Sequence, residues 1–245
     1  MSMARKVALV TGVGRREGLG FEVCRQLAAR QMTVVLAART EAKAAPLAEA
    51  LRAEGSDVVP IALDVTDDAS RRAAAEHIAS RFGALDVLVN NAAAMGRMGE
   101  KVETARFEDA RAAIETTLLG TWGVIQAMLP LLRKSAQPRI VNVSSGAGSH
   151  GDAVFGLRTG NAMGASYACA KAALNALTSA LATELSGSRI LVNAVCPGFT
   201  ATFPGGEAMG ARPVADGAAS IVWAALLPDD GPSGGFFRDG KALPW

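Results

Sequence analysis

One tyrosine, two histidines and three cysteines are all that 245 residues hold of those types, and each scarcity narrows the chemistry. The histidines, His77 and His150, have no cysteine or histidine at ligand spacing around them, so no metal site is expected. The cysteines, Cys24, Cys169 and Cys196, are odd in number, far apart and set in periodic apolar segments. They read as buried free thiols of a reducing compartment. No apolar run approaches the span of a bilayer, and the chain passes almost directly from Met1 into Lys6-Val7-Ala8-Leu9-Val10 without a signal-peptide layout. A cytoplasmic location is the expectation. Charge is nearly balanced, 25 basic against 23 acidic residues for a net +2, which calls for neither nucleic acid nor a membrane surface as partner. Any anion site must be local.

What the chain does have is a globular profile, 50% hydrophobic and 20% charged. No repeat, low-complexity tract or linker divides it, so residues 1–245 read as one domain. Short β-branched runs near 6–11, 33–38, 58–63, 85–90, 138–144 and 189–196 alternate with helical periods near 18–30, 41–54, 68–82, 106–134, 166–186 and 213–227. Such alternation predicts βαβ units, an α/β fold with a parallel sheet and helices on both faces. Runs such as Val34-Val35-Leu36-Ala37 are almost continuously apolar, as strands covered on both faces should be.

In open sheets of this kind ligands bind beyond the carboxyl ends of the strands. Every predicted strand ends there in a polar or glycine-rich signal: Thr11-Gly12, Arg39-Thr40, Asp64-Val65, Asn90-Asn91, Ser144-Ser145 and Pro197-Gly198. The first turn, Thr11 to Gly20, opens a helix with Gly12, Gly14, Gly18 and Gly20, a layout that lets backbone N–H groups approach a diphosphate. At the second strand the choice of dinucleotide is made, because a carboxylate there accepts from a ribose 2′-hydroxyl whereas an arginine accommodates a 2′-phosphate. The strand ends Ala37-Ala38-Arg39-Thr40, with no acid before Glu41. Arg39, with Arg15 or Arg16 from the glycine turn, therefore predicts NADP(H).

Tyr167 stands four residues before Lys171 in a helical segment, so the two share a face one turn apart. An ammonium beside a phenol favours the phenolate, and the expectation is a phenol acidified by roughly one to three units from about 10. That pairing is suited to general acid and base work.

These motifs together resemble the short-chain dehydrogenase/reductase family over essentially the whole chain. They are the Thr11-Gly12 to Gly20 turn, Asp64-Val65, Asn90-Asn91-Ala92-Ala93, Asn142-Val143-Ser144-Ser145, Tyr167 to Lys171, and Asn193 followed by Pro197-Gly198 and Thr202. The resemblance implies a Rossmann-type doubly wound sheet and hydride transfer to or from a nicotinamide. It also implies that Gly12, Gly18, Leu19 and Gly20 belong to the cofactor turn, and that Asp64 and Val65 bound the adenine pocket. Asn91 and Ala92 would touch the adenosine side, and Pro197, Gly198, Thr200 and Thr202 would hold the carboxamide. Ser145, rather than Ser144, would polarise the substrate carbonyl, Tyr167 would give the proton, and Lys171 would also grip the ribose. The tail from Asp216 to Trp245 is similar to the carbonyl reductase branch. Three departures stand out. Five residues, not three, separate Gly12 from Gly18; Ala93 replaces a glycine; and Thr117-Leu118-Leu119-Gly120 carries threonine where the family has an asparagine that holds a water linking the lysine to solvent.

The expected activity is reduction of a small apolar or aromatic ketone or aldehyde by NADPH. Met95, Met98, Phe155, Phe199 and Phe203 are candidates to line the substrate pocket, and the glycine-rich stretch His150 to Asn161 to shape or cover it. The alternatives are an alcohol, polyol or hydroxysteroid dehydrogenase and, outside enzymes, a catalytically silent NADP(H) sensor. The resemblance also implies a homodimer or homotetramer through the helices near 106–134 and 166–186.

Overall fold

The computed structural model describes residues 5–160 and 163–245; Asn161, the end of the predicted glycine-rich stretch, lies outside them. The strands are β1 (Val7–Val10), β2 (Thr33–Ala38), β3 (Val58–Ala62), β4 (Val87–Asn90), β5 (Arg139–Val143), β6 (Leu191–Val195), β7 (Phe236–Arg238) and β8 (Lys241–Ala242). They form one sheet in the order β3-β2-β1-β4-β5-β6-β7-β8. All neighbours are parallel except β7 and β8. The sequence runs outward from β1 to β3 on one side and from β4 onward on the other, so the switch point lies between β1 and β4. Pro60, which can donate no ladder bond, sits on the edge strand β3.

Helices α1 (Leu19–Ala29), α2 (Glu41–Ala53), α3 (Asp68–Phe82), α4 (Phe107–Ile114), α5 (Thr121–Leu132), α6 (Ala165–Glu184) and α7 (Val214–Ala225) cover both faces. Alternate residues of β1 part between two cores. Ala8 and Val10 join Leu27, Leu51 and Ile221 from α1, α2 and α7 on one side. Val7 and Leu9 join Ile78, Ile125 and Leu181 from α3, α5 and α6 on the other.

The single predicted helix over 106–134 is two helices joined by a π-helical turn, Glu115–Gly120, that contains Thr117. An inserted residue of this kind re-aims the helix that follows, and periodicity does not register it. Strands β7 and β8 were not anticipated, since three and two residues carry no alternation to read. Of the three cysteines expected to be buried, Cys24 and Cys196 are, but Cys169 is exposed on α6.

Candidate active site

Beyond the carboxyl edge of the sheet lie two adjoining cavities, of about 520 and 620 Å³, that share Gly12, Gly14 and Ala93. The glycine turn is fitted closely to the end of β4. Gly12 has φ +72°, and a Cβ there would lie 2.5 Å from Ala92 Cα, so both conformation and space require glycine. Thr11 Oγ1 accepts from the backbone N–H groups of Asn91 and Ala92 at 3.1 Å each, and Asn91 Nδ2 donates to the Thr11 carbonyl at 2.8 Å. The Asn91 side chain thus braces the turn. Helix α1 begins at Leu19 behind Gly18 with no side-chain cap, which leaves the Leu19 and Gly20 N–H groups and the helix dipole for an anion. These features, with open space beside Gly14, fit a diphosphate.

The 520 Å³ cavity is lined by Arg39, Asp64, Val65 and Ala92, and also by Lys43, Leu63 and Thr116, which the motifs did not point to. Lys43 lies in the first turn of α2, four residues after Arg39, and that spacing was the available signal. The Asp64 carboxylate accepts from Thr66 N at 2.9 Å and Thr66 Oγ1 at 2.7 Å. Those bonds, with the charges of Arg39 and Arg71, hold it below the usual carboxylate range.

Of the two arginines of the glycine turn, Arg15 lines the larger cavity and Arg16 lines neither. Arg15 Nη2 reaches across the cleft to the Thr202 carbonyl at 2.5 Å. Arg16 faces the Phe21 ring at 5.9 Å and Glu54 at 4.0 Å. Neither lines the cavity that holds Arg39, because the two extra residues of the turn carry them away from the end of β2.

The larger cavity brings together Gly18, Leu19, Gly20, Asn91, Ser145, Tyr167, Lys171, Pro197, Gly198, Thr200 and Thr202. Ser145 lies two residues beyond β5, and its hydroxyl draws the Tyr167 phenol down. Ser144 also borders the cavity, but its hydroxyl is engaged, donating to Asn175 Oδ1 at 2.5 Å. Helix α6, which carries Tyr167 and Lys171, is fastened to the sheet by a buried chain from Asn90 Nδ2 to Asn142 Oδ1 and from Asn142 Nδ2 to Thr178 Oγ1, 2.9 Å each. Its first turn, begun at Gly164 without a side-chain cap of its own, is capped by Glu100, whose Oε1 accepts from Ser166 N at 2.8 Å. Glu100 is 66 positions from Ser166, and no spacing rule would have paired them.

The electrostatics correct one expectation. Burial pushes the Tyr167 phenol up to about 12, and the partner drawing it the other way is Ser145. Lys171 does not acidify it. The Lys171 ammonium is buried, sits 5.5 Å from the centre of the Tyr167 ring and donates to the Val143 carbonyl at 2.5 Å. Desolvation brings Lys171 down to about 7, so the cation is itself near neutrality. Removal from water favours the uncharged form of each group. Thr117 is buried in the π-helical turn, where its Oγ1 accepts from Ala94 N at 3.4 Å.

Met95, Met98, Phe199 and Phe203 line the larger cavity, together with Met163. Phe155 stands behind them, 6.2 Å from Phe199, which is in turn 6.2 Å from Phe203. No group of three or more metal-ligating side chains occurs among the described residues, and no helix there is long and apolar enough to cross a membrane.

A family model described as short chain dehydrogenase matches residues 6–209. The chain belongs to this family. It is 33% identical to (-)-isopiperitenone reductase of Mentha piperita, with 99% of each chain covered. It is 32% identical to carbonyl reductase (NADPH) 1 of Mus musculus, with 100% of each covered. Among solved structures, NADPH-bound carbonyl reductase from chicken fatty liver superposes with a TM-score of 0.83 at 28% identity, covering 99% of this chain and 100% of that one. The protein is accordingly an oxidoreductase acting on carbonyl or CH–OH groups of small molecules, in a family that uses nicotinamide dinucleotides.

Proposed function

We propose that this short-chain dehydrogenase is an NADPH-dependent reductase of apolar or aromatic ketones and aldehydes. The observation that carries the reading is Tyr167, sharing with Ser145 a cavity lined by methionines and phenylalanines, with its phenol pushed up to about 12. Such a phenol keeps its proton at neutral pH and serves as a donor to a developing alkoxide, whereas oxidation of an alcohol would need it already deprotonated.

Arg39 and Lys43 beside the 520 Å³ cavity, with no carboxylate at the end of β2, favour a 2′-phosphate over a free ribose hydroxyl. The nicotinamide supplies the hydride when bound. Ser145 donates to the carbonyl oxygen as negative charge builds on it, and Tyr167 delivers the proton to that oxygen. Lys171, anchored on the Val143 carbonyl, holds a proton beside the Tyr167 ring and would hold a cofactor ribose. Gly198, Thr200 and Thr202 line the same cavity and would orient the carboxamide. The methionines and phenylalanines around the cavity favour substrates with apolar bulk. Relatives named as reductases of isopiperitenone and salutaridine are in keeping with that choice.

NADPH consumption against a panel of activated ketones, diketones and quinones tests the proposal. Turnover with NADPH well above NADH is expected. Silence across the panel points to a nucleotide sensor, and tight NADH with weak NADPH binding points to an alcohol dehydrogenase. Exposed Phe107, Leu119 and Trp122 along α4, the π-helical turn and α5 support self-association through that face. Sedimentation showing only the 25.1 kDa species would remove it.

A further inference from the structure

Cys196 takes no part in the proposed chemistry, yet more donors converge on its sulfur than on any neighbouring side chain of the site. It is 3% exposed and directly follows β6. Its Sγ accepts from Gly146 N at 3.2 Å, Gly198 N at 3.3 Å, Arg238 Nε at 3.4 Å and Arg238 Nη2 at 3.2 Å. A thiol is a weak acceptor, so four N–H groups aimed at one sulfur is a specific arrangement and not incidental packing. The guanidinium comes from β7, and its Nη2 also donates to Asp152 Oδ2 at 2.7 Å. That carboxylate in turn takes the N–H groups of Val154 and Phe155 at 2.9 Å each.

The two backbone donors follow the ends of the adjacent strands β5 and β6. Gly146 follows Ser145, and Gly198 lines the side assigned to the nicotinamide. A Cβ on Gly146 would lie 2.5 Å from Asp152 Oδ2 and 2.7 Å from Arg238 Nη2, so the residue after Ser145 is pressed against the same cluster.

We propose that Cys196 is a positioning residue: its sulfur is the shared acceptor that sets the spacing between Ser145 and the Gly198 wall. Arg238 and Asp152 orient that acceptor and tie it to the 149–160 loop. The proposal rests on the reductase reading for its kinetic consequence only.

Amide hydrogen exchange of the cofactor-free protein, NADPH affinity by fluorescence and kcat are measured in wild type, Cys196→Ala and Cys196→Ser. Loss of the acceptor in the alanine variant is expected to speed exchange at Gly146 and Gly198 by about fivefold or more, with a kcat loss of about tenfold. A serine oxygen again accepts, so Cys196→Ser is expected to return both to within about threefold of wild type. An alanine variant within about twofold of wild type in exchange and kcat overturns the proposal, as does a serine variant as impaired as alanine. Where alanine prevents folding, a folded Cys196→Ser with kcat about tenfold down overturns it on its own. A wild-type protein inert toward NADPH and every ketone sinks the reductase reading instead, and exchange at the two glycines still decides the role of the sulfur.

Discussion

The two ends of the cleft are built in opposite ways. At the end proposed for adenosine, Arg39 is exposed and directly follows β2, with Lys43 four residues on in the first turn of α2. Only Asp64 there is firmly tied, and its partner Thr66 is local. At the catalytic end Lys171, Asn142, Asn175, Thr178 and Cys196 are buried, and each is bonded to a partner on another element or a neighbouring turn. Ligand recognition by solvated side chains can be altered with little effect on the fold. Chemistry performed by desolvated groups cannot, because each is held by bonds that also support the sheet.

The largest expected effect is therefore at the buried end. Tyr167→Phe removes one oxygen and is expected to lower kcat by about a hundredfold or more while leaving NADPH affinity nearly unchanged. A variant keeping more than about a tenth of wild-type turnover contradicts the assignment of Tyr167 as proton donor. At the exposed end, Arg39→Ala is expected to weaken NADPH by about ten- to a hundredfold, the range for loss of a charge-assisted bond, with NADH binding and melting temperature almost unmoved. Lys43→Ala is expected to act in the same direction by only a few-fold, as a flexible point charge does. Equal losses for NADH and NADPH in either variant would break the contrast, since the side chains would then be serving the fold or the shared adenosine.

The same contrast explains what could be read from residue order. The sheet, the strand-end signals and the facing of Tyr167 and Lys171 follow from local periodicity, and the structure has them where periodicity put them. Ser144 and Ser145 follow β5 and both border the cavity, with the Ser144 hydroxyl engaged by Asn175. What residue order did not carry is the set of long-range polar bonds: Glu100 capping α6, Arg15 crossing to Thr202, and four donors meeting at Cys196. None has a characteristic spacing. The expected acidification of Tyr167 failed for a related reason, since i to i+4 geometry gives proximity but says nothing of burial, and burial sets the sign.

Tyr167 is the only tyrosine in the chain, so phenolate absorbance in the near ultraviolet reports on one group. Titrated in the folded, cofactor-free protein, it is predicted to show no phenolate through pH 10, with ionisation only toward about 12. A midpoint below about 10 in protein that circular dichroism shows still folded would mean that Lys171 outweighs burial, and would contradict the account of Tyr167 as a protonated donor.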